Sequence, residues 1–536
     1  MGIKQRLNNP ALCGTIPYHS ELCVMGKDGL SMQKLIEGSL VCRAAAAANL
    51  WFGRQWRGSR VLGRFLSADK GEKASENSVF ARVWVSFHRG LSTAFERLRI
   101  NELLRGSIFT SPFAWSLAAI SLAPILPTMT LLPIAAVGMV SLLLAFGCNK
   151  QRRLSYFPAN KYILLYAFVV LGATFTSVTV SGSLRSGLLT WFFILFAIVI
   201  QNSVTTRRQF DMIIYAFVVS GLAVSAYGVY QYVFGAVGAS GWLDSDMFSD
   251  IGVRVYSTLE NPNVLAMYLL LVIPFAVATI FVVKGFVPKL FFAGCLGAML
   301  LCMLLTFARG GWLGLITAAA LFFIMLDRRF IVVGIAGIII MYFALPDVIV
   351  GRFLSIGDVG DGSTSYRLSI WLATIDLLRD YWFTGIGPGT VAFNRIYPLY
   401  SFNAAAAQHS HNLYLQIICN AGIVGLAFFF ATIFAFFRGL FYAVSTSGGL
   451  RFGQSAKNLI AQPPNSLHAL NPQNIVDDKN SKIFQMAAIS SIFGFLVQGF
   501  TDYSFYNYRV TFVFWAVLGL GILAARRPNL KGSAAD

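Results

Sequence analysis

The charged residues best suited to chemistry stand beside the apolar runs of the sequence. Arg309 lies between two such runs and is followed by Gly310 and Gly311, in the stretch LLTFARGGWLGL. An arginine presents a planar fork of donors that matches a phosphate or a diphosphate, and glycines let another group come close. The alternative is an arginine that merely extends to the membrane interface. We interpret Arg309 as an anion-binding residue.

Two histidines lie two residues apart in QHSHNLYLQ, at the start of another apolar run. Histidine transfers protons near neutral pH, which suits a general acid or base. His411 is the favoured candidate. His409 is the weaker one, because a histidine at a helix start can simply bond to the backbone. The pair could bind a metal on an extended segment, but no third ligand is evident nearby, so no metal site is predicted.

Two further arginines, Arg254 and Arg367, occur in two long connections between later apolar runs. Taken alone, each is most simply a surface charge. Together with Arg309 they could form one cluster of positive charge. Whether they meet depends on the elements that carry them.

Composition places those elements in a membrane. The sequence is 56% hydrophobic and 12% charged, with a mean hydropathy of +0.65. Many apolar runs near bilayer length indicate a polytopic membrane protein, and these runs must be helices because backbone groups in a bilayer are bonded within each segment. We predict an all-α fold of about twelve transmembrane helices. Their cores are 113–126, 131–147, 162–180, 188–200, 212–234, 264–283, 290–307, 312–325, 330–345, 413–437, 483–500 and 510–524.

The connections between the predicted spans alternate in charge. Connections rich in lysine and arginine stay in the cytoplasm, which predicts that both termini are cytoplasmic. The net charge of +19 is then explained by inner loops that face anionic lipid headgroups. No nucleic-acid partner is predicted, because no basic groove sequence with stacking aromatic residues is evident.

The sequence divides into two regions. Residues 1–105 are predicted to be a basic cytoplasmic region, and residues 106–536 a membrane domain with a cytoplasmic loop at 438–482. Within the first region, 41–66 mixes aromatic residues with arginines, typical either of an amphipathic helix in the membrane interface or of a poorly ordered tail. No signal peptide is predicted, since no apolar segment follows the first basic residues.

The longest outward connection, 346–412, is predicted to contain an amphipathic helix. Its stretch YRLSIWLATIDLLRDYW places apolar residues at helical spacing. A glycine at every second position in FTGIGPGT indicates backbone that turns tightly or approaches another group closely. The predicted apolar face consists of Leu368, Trp371, Leu372, Ile375 and Leu378.

Four segments together resemble the family of O-antigen ligases and O-antigen polymerases, which are polytopic membrane glycosyltransferases. They are VRVYSTLENPNVLAMYL, LLTFARGGWLGL, YRLSIWLATIDLLRDYWFTGIGPGTVAFNRIYP and HNLYLQIICNAGIVGLAFF, in this order. Each motif is short, and the specificity lies in their order and in their place relative to the spans. The resemblance covers the twelve-span region and leaves residues 1–105 without a counterpart.

The resemblance implies a metal-independent enzyme of the bacterial inner membrane that needs no cofactor. Members of the family transfer a glycan from an undecaprenyl-diphosphate carrier to a lipid or glycan acceptor at the outer face, in the assembly of lipopolysaccharide or exopolysaccharide. The implied partners are this donor, the acceptor and membrane lipids. The resemblance places Arg309 and Arg254 on the diphosphate, with Arg367 nearby, and His411 at the reaction centre.

One position departs from the family pattern, because Asn420 stands where members often have an acidic residue. If that acid assists catalysis, its role here falls to Glu260 or Asp502, or is absent. The alternative functions are a secondary transporter of the bicarbonate type and a peptidoglycan-type glycosyltransferase. A transporter should show repeated halves and polar residues at the bilayer midplane, and a peptidoglycan-type enzyme an acidic catalytic residue in the outward loop. Ligation and polymerisation both remain open.

Overall fold

The computed structural model of this chain is built from α-helices. No β-strand occurs among the residues it describes, as the all-α prediction requires. Within the same residues, nine helices are long and apolar enough to cross a membrane, and two shorter ones are apolar as well. The chain is therefore a polytopic membrane protein. The described residues are 79–104, 106–152, 154, 157–235, 254–327, 330, 334, 343, 350–351, 362–401, 407–446 and 472–526.

The helices fall into three groups along the chain. Helix α1 (Val79–Arg97) and the short α2 (Ile100–Leu103) come first. Eight apolar helices follow: α3 (Pro112–Leu122), α4 (Thr128–Cys148), α5 (Asn160–Phe175), α6 (Val180–Ser203), α7 (Arg207–Phe234), α8 (Pro262–Val282), α9 (Phe286–Leu305) and α10 (Arg309–Leu326). The last group is α11 (Gly362–Tyr381), α12 (Thr390–Ile396), α13 (Leu413–Thr446), α14 (Pro472–Gln498) and α15 (Tyr508–Arg526).

Eleven of the predicted spans coincide with helices in the described part of the chain. The remaining one, 330–345, lies almost entirely outside it, so the count of twelve stays a prediction. The first two spans are separate helices, as predicted, and Pro127 lies between them. Helix α3 has 11 residues, about 16 Å at 1.5 Å per residue. Since a hydrocarbon core measures about 30 Å, α3 needs its flanking residues to cross.

Helix ends gather at two opposite ends of the bundle. At one end, the N–H of Leu413 donates to the Gly499 carbonyl at 2.7 Å. At the other, Arg526 donates to the Gln201 carbonyl at 3.2 Å. The first end, called the site end below, contains the C-terminal ends of α7, α9 and α14 and the N-terminal ends of α8, α10, α13 and α15.

Helices α8, α14 and α15 are the most buried of the spans and form the centre of the bundle. Helix α14 crosses α10 at Gly314 and Gly494. A Cβ atom built on either glycine would lie 2.7 Å from the carbonyl oxygen of the other. Small residues of this kind let membrane helices approach closely. The crossing holds α10 against α14, two helices whose ends contribute to the site.

Helix α13, predicted as one continuous span, is broken at Gly422, whose φ is +65°. Residues that follow α11 fill the break. The N–H of Ile386 donates to the Cys419 carbonyl at 2.6 Å, and the N–H of Ile423 donates to the Trp382 carbonyl at 2.8 Å. Non-helical backbone inside a membrane protein is tolerated where protein groups satisfy it in this way. Of the alternating glycines, Gly385 makes the expected close approach to α13, whereas Gly387 approaches Ser177 and Gly389 approaches Ser186 of α6.

Helix α11 is present where the outward connection was predicted to be helical, but it buries a different face. Its buried side chains are Ile370, Ala373, Thr374, Leu377 and Leu378. Of the predicted apolar face, Leu368, Leu372 and Ile375 are 41%, 54% and 46% exposed. The helix has two apolar stripes, and it packs its other stripe towards α13. The predicted apolar face is turned away from the protein at these three residues, because periodicity does not say which stripe meets the protein.

The N-terminal region contributes α1, which packs against α4. The Trp84 ring meets the Phe146 ring edge-on at 5.1 Å, and His88 Nε2 lies 3.0 Å from the Phe146 carbonyl oxygen. The amphipathic segment predicted at 41–66 lies outside the described residues. At the predicted loop 438–482, α13 extends to Thr446 and α14 begins at Pro472.

Candidate functional site

Helices α8, α10, α13 and α15 all begin at the site end. The first turn of a helix has backbone N–H groups without partners in the helix, and it carries the positive end of the helix dipole. Helix N-termini are therefore common anion-binding positions. The predicted site residues lie at or next to three of these N-termini.

His411 stands two residues before α13, in a constrained turn. Its φ is +48°, in the left-handed region that histidine enters more readily than most residues. The next residue, Asn412, accepts the N–H of Tyr414 at 3.0 Å and donates to the Phe500 carbonyl at 2.9 Å. The indole of Trp371 donates to the His411 carbonyl at 3.3 Å. The backbone of His411 is thus held by α11, α13 and the end of α14.

The imidazole of His411 is paired with the carboxylate of Asp502. His411 Nδ1 lies 3.1 Å from Asp502 Oδ1, which also accepts the N–H of Tyr503 at 2.8 Å. Burial alone would raise the pKa of Asp502, but the hydrogen bond from His411 and the positive charge of Arg367 hold it below its usual range. Asp502 is therefore an ionised acceptor. The tautomer that donates from Nδ1 leaves Nε2 as the basic atom of His411.

His409 is buried beside this pair. Its ring centroid lies 4.2 Å from that of His411 and 4.7 Å from that of Tyr506, on which it stacks. Its Nδ1 accepts the N–H of His411 at 3.3 Å. Burial is the main cause that lowers the pKa of His409 to about 3, and the positive charge of Arg367 acts in the same direction. His409 is therefore neutral near pH 7 and supports the backbone and ring of His411.

Arg309 is the first residue of α10 and is half-buried. Its guanidinium donates to Ser363 Oγ at 2.6 Å and to Thr364 Oγ1 at 3.5 Å. The next residue, Gly310, packs so closely on Thr501 that a Cβ atom would collide with its hydroxyl. Because Thr501 precedes Asp502, α10 begins directly beside the turn that carries the carboxylate.

Arg254 lies between α7 and α8 and reaches the end of α9. Its Nε donates to the Thr306 carbonyl at 3.0 Å, and its terminal nitrogen donates to Asn263 Oδ1 at 3.2 Å. Thr306 precedes Arg309 by three residues, and the Asn263 carbonyl accepts a bond from Gln498 at the end of α14. Arg254 thus joins the N-terminal ends of α8 and α10.

Arg367 connects the arginines to the histidines through α11. The same helix places Ser363 on Arg309 and Tyr366 edge-on to His411, with ring centroids 6.2 Å apart. The charge of Arg367 lowers the pKa of both His409 and Asp502. The cluster of positive charge considered from the sequence therefore has Arg367 on its histidine side.

Of the two acidic candidates, Asp502 meets His411 and Glu260 has another partner. Glu260 Oε1 lies 3.1 Å from a terminal nitrogen of Arg509, and the Glu260 side chain is 82% exposed. Buried Arg509 also donates to the Thr258 carbonyl at 2.7 Å. This ion pair ties the residues before α8 to the start of α15. We therefore assign this ion pair a structural role.

One group in the described part of the chain has the spacing of metal ligands. It consists of His409, His411 and Asp502, whose ligand atoms all lie within 4.8 Å of one another. From the sequence no third ligand was evident for the two histidines, since Asp502 is 91 residues away from His411. A metal on Nδ1 of either ring would displace an existing hydrogen bond. The three side chains therefore fit a hydrogen-bonded imidazole–carboxylate pair better than a metal site.

Asn420, the position that departs from the family pattern, lies two turns into α13 behind the histidines. Its Nδ2 donates to the Tyr503 hydroxyl at 3.1 Å, and its Oδ1 accepts from Gln416 at 3.0 Å. The Asn420 amide therefore helps to position Tyr503, whose backbone N–H donates a hydrogen bond to Asp502 Oδ1. The sequence did not single out Tyr503 or Tyr506. The aromatic-rich stretch DYSFYNY, directly after a span, was the available signal.

Part of the chain matches a known protein family. Residues 294–430 match the model of a protein family described as O-antigen ligase. This range contains Arg309, Arg367, His409 and His411, and ends before Asp502. No curated protein matches the chain.

Proposed function

We propose, because residues 294–430 match the O-antigen ligase family, that this chain transfers a glycan from an undecaprenyl-diphosphate carrier to an acceptor sugar. The reaction serves the assembly of a cell-surface polysaccharide at the outer face of the bacterial inner membrane. The observation that carries the proposal is the pairing of His411 with buried Asp502 beside arginines at helix N-termini. A base and a cluster of cations are what this transfer requires.

In the proposed reaction, Nε2 of His411 takes the proton of the acceptor hydroxyl. The acceptor oxygen forms a bond to the anomeric carbon of the donor, and the bond from that carbon to the diphosphate oxygen breaks. The proton remains on His411 as an imidazolium, which the Asp502 carboxylate stabilises through Nδ1, 3.1 Å away. General-base assistance of this kind contributes about 10²–10⁴-fold to a rate.

The lipid diphosphate leaves with an additional negative charge. Arg309, the first residue of α10, and Arg254, which bonds to Asn263 in the first turn of α8, are proposed to bind it, with Arg367 near the reacting atoms. Fixed cations and helix N-termini stabilise developing charge without reorganisation. The hydrogen bonds of Arg309 to Ser363 and Thr364 orient the guanidinium before the substrate arrives. In this scheme the site end is the outer end of the bundle.

The direct test uses purified protein in liposomes, with lipid-linked glycan extracted from the native cells and the native acceptor fraction. Wild-type protein is expected to transfer glycan, and His411→Asn is expected to lose about 10²–10⁴-fold in turnover. Asparagine is the informative replacement because it also tolerates the left-handed backbone at this position. Absence of transfer by the wild type, or full activity of the asparagine variant, would overturn the proposal.

A further inference from the structure

A second feature of the site end is a cavity on the other side of His409 from His411. Its volume is about 270 Å³, slightly below the range of about 300–1,000 Å³ for small-molecule sites. It lies among α5, α6, the start of α12, α13 and the α14–α15 connection. Its walls include Tyr166, Thr190, Asn420, Tyr506 and Tyr508.

The chemistry of the cavity walls excludes two parts of the donor. None of its lining residues, all of which the structure describes, carries a charged side chain. A diphosphate needs cations, so it does not fit there. A polyprenyl tail needs a continuous apolar surface, whereas hydroxyl and amide groups occur around this cavity. Tyrosine rings combined with hydroxyls and amides suit an uncharged sugar, which has apolar ring faces and many donors and acceptors.

Tyr506 connects the cavity to the reaction centre. It lines the cavity, and its ring stacks on His409 at 4.7 Å with an angle of 18° between the planes. His409 in turn contacts His411, with centroids 4.2 Å apart. The three arginines lie towards α8, α10 and α11. Two ring contacts therefore connect the uncharged aromatic wall of the cavity to His411, on the side away from the arginines.

We infer that this cavity binds one sugar ring next to the reaction centre. The inference rests on the proposed function and deepens it. Two sources supply the same chemistry, namely the sugar of the donor glycan nearest the diphosphate and the acceptor sugar. A volume of about 270 Å³ suits one ring rather than a long glycan, so the remainder of the chain extends out of the cavity.

The test fills the cavity with a side chain. Thr190 lines it from α6 and is partly buried, so Thr190→Phe places a ring in the space of the sugar. The matched control is Leu188→Phe, on the same helix, where the leucine is 41% exposed. A milder second variant, Thr190→Val, removes only the hydroxyl, and keeps the test valid if the phenylalanine prevents folding.

Three quantities are measured for each protein: the affinity for synthetic undecaprenyl diphosphate, the affinity for the extracted lipid-linked glycan, and the KM for the native acceptor fraction. A donor-sugar site predicts that Thr190→Phe binds the lipid-linked glycan about tenfold or more weakly, with undecaprenyl diphosphate unaffected. An acceptor-sugar site predicts both affinities unchanged and the acceptor KM raised by about tenfold or more. Thr190→Val should shift the same quantity by a smaller factor, and Leu188→Phe should match the wild type.

The proposal is overturned if all three quantities are unchanged in both Thr190 variants. It is also overturned if Thr190→Phe weakens undecaprenyl diphosphate as much as the lipid-linked glycan, because the cavity would then serve the carrier. A different result would show that the proposed function itself is wrong. Wild-type protein would then bind neither lipid and show no transfer, and both proposals would fall.

Discussion

His411 Nδ1 lies 3.1 Å from Asp502 Oδ1, although 91 residues separate the two in the chain. The histidine precedes α13 and the aspartate follows α14, and the Leu413–Gly499 backbone bond joins these two helix ends directly. The pair is therefore fixed by the packing of two spans. A carboxylate held on one ring nitrogen sets the tautomer and leaves the other nitrogen basic.

The first prediction concerns this carboxylate. Asp502→Asn keeps the shape of the side chain and removes its charge, so it loses both the fixed tautomer and the stabilisation of the imidazolium. We expect turnover to fall by about 10²–10⁴-fold, the worth of the base that it supports. Binding of the lipid-linked donor should be unchanged. Steady-state kinetics together with donor binding checks both statements.

A double variant tests whether the two residues act as one unit. Groups that share one step show strongly non-additive effects, so His411→Asn with Asp502→Asn should be no slower than His411→Asn alone. If the fold-loss in turnover of the double variant equals the product of the two single losses, Asp502 acts in another part of the reaction.

Much of this arrangement could be predicted from local sequence, because helix periodicity and charged connections are local properties. The spans, the separation of α3 from α4, and the position of His411 at the start of α13 follow from apolar runs and their boundaries. The break at Gly422 could not be predicted from local sequence, because the backbone groups that bond to it belong to residues 382–386. The partner of His411 could not either: Glu260 and Asp502 were equal candidates until tertiary packing placed Arg509 on the first and His411 on the second.

The second prediction concerns Arg309. Arg309→Lys keeps the charge but loses the planar fork that matches a diphosphate, so it should still impair transfer, and Arg309→Ala should abolish it. Both proteins should remain in the membrane. A matched control is Arg379→Ala, since Arg379 is an exposed arginine of α11 that pairs with Asp376 at 2.9 Å, one turn away on the same helix. Normal transfer by Arg309→Ala would remove Arg309 from the site.

The third prediction concerns metal ions at His409, His411 and Asp502. If the pair acts as a base and its carboxylate, transfer should be unchanged after dialysis against a chelator, and elemental analysis should find far less than one metal per chain. A metal enzyme behaves differently, because ligand removal and chelation both abolish bound-metal chemistry. Activity that is lost on chelation and restored by one divalent ion would replace the proposed base with a metal centre.

The last prediction concerns stability and His409. The pKa of His409 is lowered in the folded protein to about 3, first by burial, whereas the unfolded value is about 6.5. Between these values the unfolded chain binds one more proton than the folded one, so unfolding becomes easier as the pH falls. The contribution is fully present above about pH 6.5 and is lost progressively towards pH 3, by at most about 1.4 kcal/mol per pH unit.

The measurement compares melting temperatures of wild type and His409→Gln in detergent at several pH values from 7.5 to about 4.5, a window set by these pKa values. Glutamine can still accept the N–H of His411, but it does not titrate. Other groups titrate alike in both proteins, so the difference isolates His409. We expect any advantage of the wild type at pH 7.5 to shrink and then reverse as the pH falls. A difference that stays constant over this range would show that His409 is not held neutral by its surroundings.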